Sequence, residues 1–487
     1  MPASVWVGPA HVDDRIDTRP YKPWVLERTE RCSEFVGGSV RLGDPGVCSQ
    51  LSRGVGGGKG EADVIAVFKA KEVTGYGFSA PERFLANCPN DKVLRSGDVV
   101  LTSSGIGTIG RADIFDPSSV SSGTRFTVDN HVTIVRLSTS ELLPEFLVSF
   151  LNCDYGKAWS EWGTTGSTRL LELSPSKVRQ FEIPKVDLRV QRFVAARIRL
   201  AARCRSHSVE LRSRALELLA QSWAWGNRGP ADLQDGVASQ IAHTVEPHIF
   251  EDRLDPEFYR PSFLAVDRWL DGQPCWRLSE LVEAPVKGVQ PSYDPDGTVP
   301  ALTVTHVDPF VLDRNEANGL VTDAWLSRNS RARIEAGELL YTVTGPPLGE
   351  TVVVEEFHLP AAVNSHVARV ALRPHFKFPH LVAGMLNSPL GQLQTTRYSK
   401  GIRQKELYPV DFVRFRFPKL SSQTCTRLER ELAASCRLVE EARVLVEQAK
   451  ADVEALIEDT FDVEAILAGT VKAPTADDIP ELAEYTA

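Results

Sequence analysis

The sequence repeats itself once, and this duplication constrains the fold more than any other feature. Five segments recur in the same order at offsets of about 234 to 240 residues. The five pairs are Arg15-Ile16-Asp17 with Tyr21 and Arg253-Leu254-Asp255 with Tyr259, SGDVVLTSSG (96–105) and AGELLYTVTG (336–345), DNHVTIVRL (129–137) and NSHVARVAL (364–372), PEFLVSFLN (144–152) and FPHLVAGMLN (378–387), and FEIPKVDLRVQ (181–191) and FRFPKLSSQ (415–423). One such pair could arise by chance, but five collinear pairs indicate a duplication.

Each copy is predicted to be a mixed domain followed by a helix. Short apolar runs such as HVTIVRL and ELLYTVTG, separated by Gly, Pro and Ser, are typical of strands. The segments 144–152 and 379–387 place apolar residues three and four apart, which predicts one short helix in each copy. The predicted fold class is therefore α+β, with two tandem mixed α/β domains built on twisted sheets.

A long helix is predicted after each domain. Residues 188–222 and 421–459 contain neither Gly nor Pro and carry apolar stripes at helical spacing, which is typical of coiled-coil packing. The first run has eight arginines against two glutamates, whereas the second has five basic and nine acidic residues. Opposite net charges favour pairing of the two helices and a closed, pseudo-twofold particle. In the alternative, each helix packs only on its own domain and its charges face solvent.

Charge and cysteine content restrict the class of protein. With 487 residues, two to four domains are expected, and the formal net charge of −9 argues against a protein that coats nucleic acid by charge alone. The eight cysteines are scattered without zinc-ligand spacing, which is typical of reduced thiols. No apolar run of membrane-spanning length and no signal sequence is visible. We therefore expect a cytoplasmic protein without a metal site.

Gly105, Gly107 and Gly110 form a G-x-G-x-x-G pattern, the fingerprint of dinucleotide-binding sites. Such a site needs a helix after the glycines, but RADIFDPSSVSSG follows here without a helical period. The second copy has VTGPPLGETVVV at this place and lacks the fingerprint. We therefore predict a connection between two strands and no cofactor in this chain.

No catalytic constellation accompanies the repeat. His131 and His366 occupy matching positions, but no Ser or Cys nucleophile recurs with them, so they are interpreted as structural residues. The chain is therefore predicted not to be an enzyme by itself.

Two matching loops are the candidate binding segments. GTTGSTRLLELSPSKV (163–178) and TRYSKGIRQKELYPVDF (396–412) each combine a Gly with small hydroxyls and basic side chains. These groups can donate to phosphates and base edges, and Arg and Gln can bond guanine and adenine in a bidentate way. The alternative is that the charges merely face solvent. The candidate DNA-binding residues are Ser104, Thr165, Ser167, Arg169, Lys400, Arg403, Gln404 and Lys405.

This duplicated series resembles the specificity subunit of type I restriction-modification systems. The first series, from SGDVVLTSSGIGTIGRADI to GTTGSTRLLELSPSKVRQFEIP and a long helix, looks like one target recognition domain, and the second series looks like another. The resemblance implies that each domain reads one half of a bipartite DNA target and that the helices form an antiparallel coiled coil. The implied domains are 1–186 and 226–419, the helices are 187–225 and 420–462, and an acidic tail occupies 463–487.

The resemblance also implies partners. Two adenine methyltransferase subunits, which use S-adenosylmethionine, would dock on the helices, and nuclease-translocase subunits that use ATP and Mg²⁺ can join them. The candidate docking residues are Arg192, Arg199, Leu432 and Val439. The degenerate glycine turn of the second copy leaves an alternative open, a non-catalytic scaffold of another phage-defence complex that binds proteins through its paired domains.

Overall fold

A computed structural model covers the chain and describes residues 18–56, 65–105, 107–117, 124–166, 171–223, 249–250, 253, 255–314, 319–401 and 403–485. The chain divides into two compact units. The first consists of Met1–His207 and Leu438–Ala487, and the second is Ser208–Arg437. The finer division predicted at residues 186, 225, 419 and 462 stays a prediction.

The body of the first unit mixes short helices and strands. Its helices are α1 (Pro23–Ser33), α2 (Pro144–Asn152), α3 (Asp154–Gly163) and α4 (Pro175–Val178). Its strands are β1 (Ser39–Arg41), β2 (Cys48–Arg53), β3 (Ile65–Phe68), β4 (Arg83–Leu85), β5 (Val99–Thr102), β6 (Ala112–Ile114), β7 (Arg125–Val128), β8 (Val132–Leu137), β9 (Thr164–Thr165), β10 (Glu172–Leu173) and β11 (Glu182–Pro184).

Four of these strands form an antiparallel sheet in the order β2-β8-β5-β6, and a second sheet has the order β4-β3-β7 with β3 and β7 parallel. The smaller pairs are β1 with β11 and β9 with β10. Phe68, Phe115 and Phe126 pack together in one core cluster of this unit, with ring centroids about 5 to 6 Å apart in the two contacts that join them.

The body of the second unit follows the long helix α5 (Leu188–Ser222). Its helices are α6 (Pro261–Asp271), α7 (Leu278–Leu281), α8 (Asp323–Arg328), α9 (Pro379–Asn387), α10 (Pro389–Tyr398) and α11 (Pro409–Phe412). Its strands are β12 (Cys275–Arg277), β13 (Val286–Lys287), β14 (Val299–Leu302), β15 (Val307–Asp308), β16 (Val311–Leu312), β17 (Leu320–Val321), β18 (Leu339–Thr342), β19 (Thr344–Gly345), β20 (Thr351–Val353), β21 (Ala362–Val363), β22 (Val367–Val370), β23 (Lys405–Glu406) and β24 (Arg416–Pro418).

The sheets of the second unit repeat the order of the first. The order β13-β22-β18-β20 matches β2-β8-β5-β6, and β17-β14-β21 matches β4-β3-β7, including the parallel pair. The predicted duplication and the mixed α/β class are therefore confirmed at the level of topology. The two short helices predicted in the repeat are also confirmed, as α2 and α9, and each begins with Pro in its first turn.

The two long helices are confirmed as α5 and α12 (Ser422–Ile457). Within the first unit, Phe193 contacts Phe461 and Arg197 bonds Asp452 at 2.6 Å, so the helices run in opposite directions. The second unit also contains an antiparallel pair. There, the Ser208 and Ser435 hydroxyls lie 2.8 Å apart and Arg214 lies 3.5 Å from Glu431.

The acidic C-terminal segment contains α13 (Val463–Leu467) and α14 (Pro480–Tyr485). Leu482 of α14 is buried, so this end of the chain packs within the first unit. Among the helices of the described residues, none combines the length and the apolar character that crossing a bilayer requires.

Candidate nucleic-acid interface

The first candidate loop is a hairpin fastened to the end of β5. Thr165 of β9 pairs with Glu172 of β10, and Glu172 forms a further antiparallel bridge with Ser104. The Leu173 amide donates to the Ser103 carbonyl at 2.8 Å, which ties the hairpin to the residue after β5. Ser104 and Thr165, far apart in sequence, therefore lie on either side of the same residue.

The second candidate loop has the same construction. Glu406 of β23 pairs with Thr344 of β19 and forms two backbone hydrogen bonds of 2.8 Å with Lys400. The Leu407 amide donates to the Val343 carbonyl at 2.9 Å, as its counterpart does in the first unit. Each unit thus presents one small antiparallel element, built from the same three chain positions and made of different residues. We call these elements the first and second hairpins.

A glycine of the same backbone conformation begins the turn of each hairpin. Gly166 has φ of 107° and Gly401 has φ of 110°, a region that side chains with a Cβ rarely adopt. A Cβ on Gly401 would lie 2.2 Å from the Gln404 carbonyl oxygen, so the second turn is also too tight for one. Both loops need Gly for this reason, which agrees with the Gly that the sequence places in each.

An ion pair holds each hairpin to its sheet. The Arg53 guanidinium of β2 donates to the Glu172 carboxylate at 2.7 Å and to the Leu173 carbonyl at 3.0 Å. Lys287 of β13, at the matching position, pairs with Glu406. Burial lowers the pKa of Arg53, while the nearby Glu172 opposes this effect. The sequence interpretation missed these residues, although the recurrence of Glu-Leu before Ser174-Pro and Tyr408-Pro was a signal that could have found the two glutamates.

The predicted residues of the second hairpin lie together. Arg403 and Gln404 are exposed in its turn, between Lys400 and Lys405. The Lys400 ammonium lies 2.7 Å from the Asp411 carboxylate, and the Lys405 ammonium lies 3.0 Å from that of Glu257. The two lysines are therefore anchored by carboxylates.

The predicted residues of the first hairpin are placed in part. Thr165 is exposed, and its hydroxyl donates to the Glu172 carbonyl at 3.3 Å. The Ser104 hydroxyl lies 2.5 Å from Nδ1 of His131, a residue interpreted as structural, which here stands beside the candidate site. Ser167 and Arg169 fall outside the described residues.

The glycine fingerprint forms a turn between strands, as predicted. Val99 of β5 pairs with Ile114 of β6, and Gly105, Gly107 and Gly110 all have positive φ between them. No helix follows in the described part of this turn, so a helix N-terminus for a pyrophosphate is missing there.

Gly110 and Gly349 lie where a turn contacts a helix at matching positions of the two units. Gly110 has φ of 90° and Gly349 has φ of 89°. A Cβ on Gly110 would lie 2.9 Å from the Ser160 side chain of α3, and one on Gly349 would lie 2.7 Å from the Thr395 side chain of α10. The turn is thus packed closely against the same helix in each copy.

The candidate docking residues on the helices differ in accessibility. Arg192 is exposed, and Arg199 is exposed with its guanidinium 2.6 Å from the Glu145 carboxylate. Val439 is half-buried. Leu432 is only 1% exposed and belongs to the core of the second unit, so it supports packing there and does not present its side chain to a partner.

Within the described residues, no group of three or more His, Cys, Asp or Glu side chains is arranged to hold a metal ion. Among the described residues, both hairpins offer hydrogen-bonding groups at an exposed edge, and the second hairpin adds the positive charge of Arg403. Such an edge can bind a polyanion and contact base edges.

No protein-family model matches the sequence, and no curated protein matches it either. Among solved structures, the S subunit of a type I restriction-modification system from M. genitalium is similar over 87% of this chain and 95% of that one, with 13% identity and a TM-score of 0.38. A structure concerned with assembly of the type I R-M system covers 88% and 97%, with 16% identity and a TM-score of 0.28. The HsdS subunit from Thermoanaerobacter tengcongensis covers 87% and 97%, with 16% identity and a TM-score of 0.27. All three TM-scores lie below 0.5.

Proposed function

We propose that this chain is a DNA-specificity subunit that recognises a bipartite DNA target and directs partner adenine methyltransferase subunits to it. The observation that carries the proposal is the pair of hairpins, which have the same backbone pairing in both units and different exposed side chains. A repeated element with the same backbone and different residues suits a protein that reads two different short sequences.

The hairpins supply two kinds of contact. Lys400, Lys405 and Arg403 are basic groups that attract the phosphate backbone, which contributes affinity without sequence information. In the major groove, Arg403 would donate to O6 and N7 of guanine and Gln404 would bond N6 and N7 of adenine. In the first unit, the hydroxyls of Ser104 and Thr165 would bond base edges or phosphates.

The chain itself would supply binding and orientation, and the chemistry would belong to partners. In this proposal, methyltransferase subunits bring S-adenosylmethionine, and nuclease-translocase subunits that use ATP and Mg²⁺ join them in a full restriction complex. Exposed arginines on α5, such as Arg192 and Arg199, would face the methyltransferase subunits. The acidic total charge is compatible with this arrangement, because partners can share the neutralisation of phosphates.

Sequencing that detects modified bases tests this function in the host. Genomic DNA from strains with and without the gene is compared, and the expected result is one split motif whose adenines are methylated only when the gene is present. A matched strain carries Arg403→Glu, which should abolish methylation at that motif while the protein remains abundant. An unchanged methylome in all three strains would refute the methylation role, and normal DNA binding with lost assembly in the Arg403→Glu protein would favour the scaffold.

A further inference from the structure

Two large apolar side chains are exposed at the base of the second hairpin. Tyr408 is 43% exposed and Val410 is 68% exposed, immediately after β23 and in the first turn of α11. Neighbouring apolar side chains left in solvent often mark a surface that a ligand or partner covers.

The first unit carries hydroxyls at the same two positions. Ser174 and Ser176 follow the first hairpin in the same register, and their hydroxyls lie 2.8 Å apart. Ser174 also caps α4 by accepting from the Lys177 amide, whereas Tyr408 makes no side-chain cap for α11. An N-cap hydroxyl generally stabilises the helix that it begins. The second unit therefore gives up a stabilising contact and exposes a ring, which points to a role for Tyr408 outside folding.

Basic groups outnumber acidic ones around Tyr408: Lys287 pairs with Glu406, Lys400 pairs with Asp411, and Arg403 adds a further positive charge in the turn. The Lys287 ammonium lies 5.8 Å and the Lys400 ammonium 5.5 Å from the centre of its ring, and Arg403 is exposed in the turn of the same hairpin. An apolar protein partner would gain nothing from these charges. Duplex DNA fits both features, because its phosphates are anionic and the thymine C5-methyl groups are the apolar contacts of the major groove.

We propose that Tyr408 and Val410 contact thymine C5-methyl groups in the half-site read by the second unit. Ser174 and Ser176 would instead form hydrogen bonds in the half-site read by the first. This inference rests on the proposed function and adds the chemical basis of one half of its specificity.

Replacing thymine by uracil removes only the methyl group. The full chain, purified from its host with its bound partners, is used to select duplexes from two randomised libraries, one made with thymine and one with uracil. The thymine library should yield a split motif, and the uracil library should lose the thymine positions of the second half only. For individual duplexes, each contacted methyl group should be worth about fourfold in Kd, from about 0.8 kcal/mol per buried methylene-sized group.

Variants separate the possible outcomes. Tyr408→Ser with Val410→Ser copies the residues of the first unit and should remove the difference between thymine and uracil duplexes. The control, Val471→Ser, removes an exposed apolar side chain of the C-terminal segment and should keep it. Equal binding of thymine and uracil duplexes by the wild-type protein would overturn the inference. The inference would also be overturned if the Tyr408→Ser, Val410→Ser variant kept the difference between the two duplexes, or if it bound DNA normally and lost only a co-purified partner protein. Failure to select any split motif would instead overturn the proposed function.

Discussion

The two units share their internal supports and differ in the residues that follow their hairpins. In the first unit, the Asn152 side chain accepts from the Ala112 amide and donates to the Ala112 carbonyl, and Asn387 makes the same two bonds to Thr351 in the second. At the two positions that follow each hairpin, in contrast, the first unit has Ser174 and Ser176 and the second has Tyr408 and Val410. The two copies thus share these backbone supports and differ in the surface residues beside them.

A second internal contact, a buried ion pair, occurs in both units but is made by different residues. Asp98 precedes β5 and pairs with Arg136 at 2.6 Å, and Glu338 precedes β18 and pairs with Arg369 at 2.6 Å. The acids occupy matching positions, but the arginines are offset by two residues along β8 and β22. Both sheets therefore keep a buried ion pair at the start of the central strand, although the arginine comes from a different position in each.

The largest effect is expected from breaking this pair. Arg136→Met should lower the unfolding free energy of the first unit by about 3–5 kcal/mol, because Asp98 would be left buried without its partner. Arg369→Met should cost the second unit less, because the Glu338 side chain is 11% exposed and that of Asp98 only 2%. Hydrogen exchange followed for each unit separately measures both effects. Equal losses of stability in the two units, or no loss in either, would contradict this difference between the units.

An effect of similar size is expected from pH. Burial raises the pKa of Asp113 from its ordinary 3.8 to about 7, against the opposing hydrogen bonds from Gly75 and Gly77 and the charge of Arg205. The folded unit therefore holds this proton more tightly than the unfolded chain, so stability falls as the pH rises from about 4 to about 7 and levels off above that.

Val352 occupies the matching position of the second unit, where burial instead raises the pKa of Glu350 to about 7, with Asp308 adding to the shift. Asp113→Asn should flatten the pH dependence of the first unit only, and Glu350→Gln that of the second only. Hydrogen exchange at several pH values distinguishes the units. A slope that persists in the Asp113→Asn unit would assign it to other groups.

The smallest effect is expected at the hairpins' own ion pairs. Glu172→Gln removes a carboxylate that faces the proposed DNA and releases Arg53, so nonspecific DNA affinity should rise and its dependence on salt should steepen by about one phosphate contact. Glu406→Gln should do the same through Lys287. Titration of a random duplex over a series of salt concentrations measures the slope. Unchanged slopes in both variants would place these pairs away from DNA.

The duplication allowed much of the fold to be predicted. Once PEFLVSFLN and its counterpart are aligned, a helix in one copy implies a helix in the other, and both form. The same alignment predicts that Gly105, Gly107 and Gly110 form a turn between two strands, because the second copy lacks the fingerprint. The structure confirms this turn. Periodicity also predicted α5 and α12, since runs without Gly or Pro extend through their full lengths.

Contacts between distant residues could not be predicted in this way. Arg53 and Glu172 lie far apart in sequence, and although Glu-Leu recurs in both copies, nothing local indicates that Arg53 pairs with Glu172. The division of both long helices between two units, at His207 and at Leu438, was equally hidden, because the helical period is the same on either side. Leu432 belongs to an apolar helical stripe, and such a stripe does not tell whether the core or a partner covers it.

Selection of duplexes from a random library by the full chain, compared with its Arg403→Glu variant, tests the central claim most directly. If each unit reads one half of the target, the wild-type protein selects a split motif and the variant loses the specific bases of one half while the other half stays unchanged. The matched variant Arg268→Glu, a charge reversal at an exposed arginine of α6 outside the hairpins, should keep both halves. Loss of both halves together in Arg403→Glu, or selection of no motif by the wild-type protein, would contradict the account.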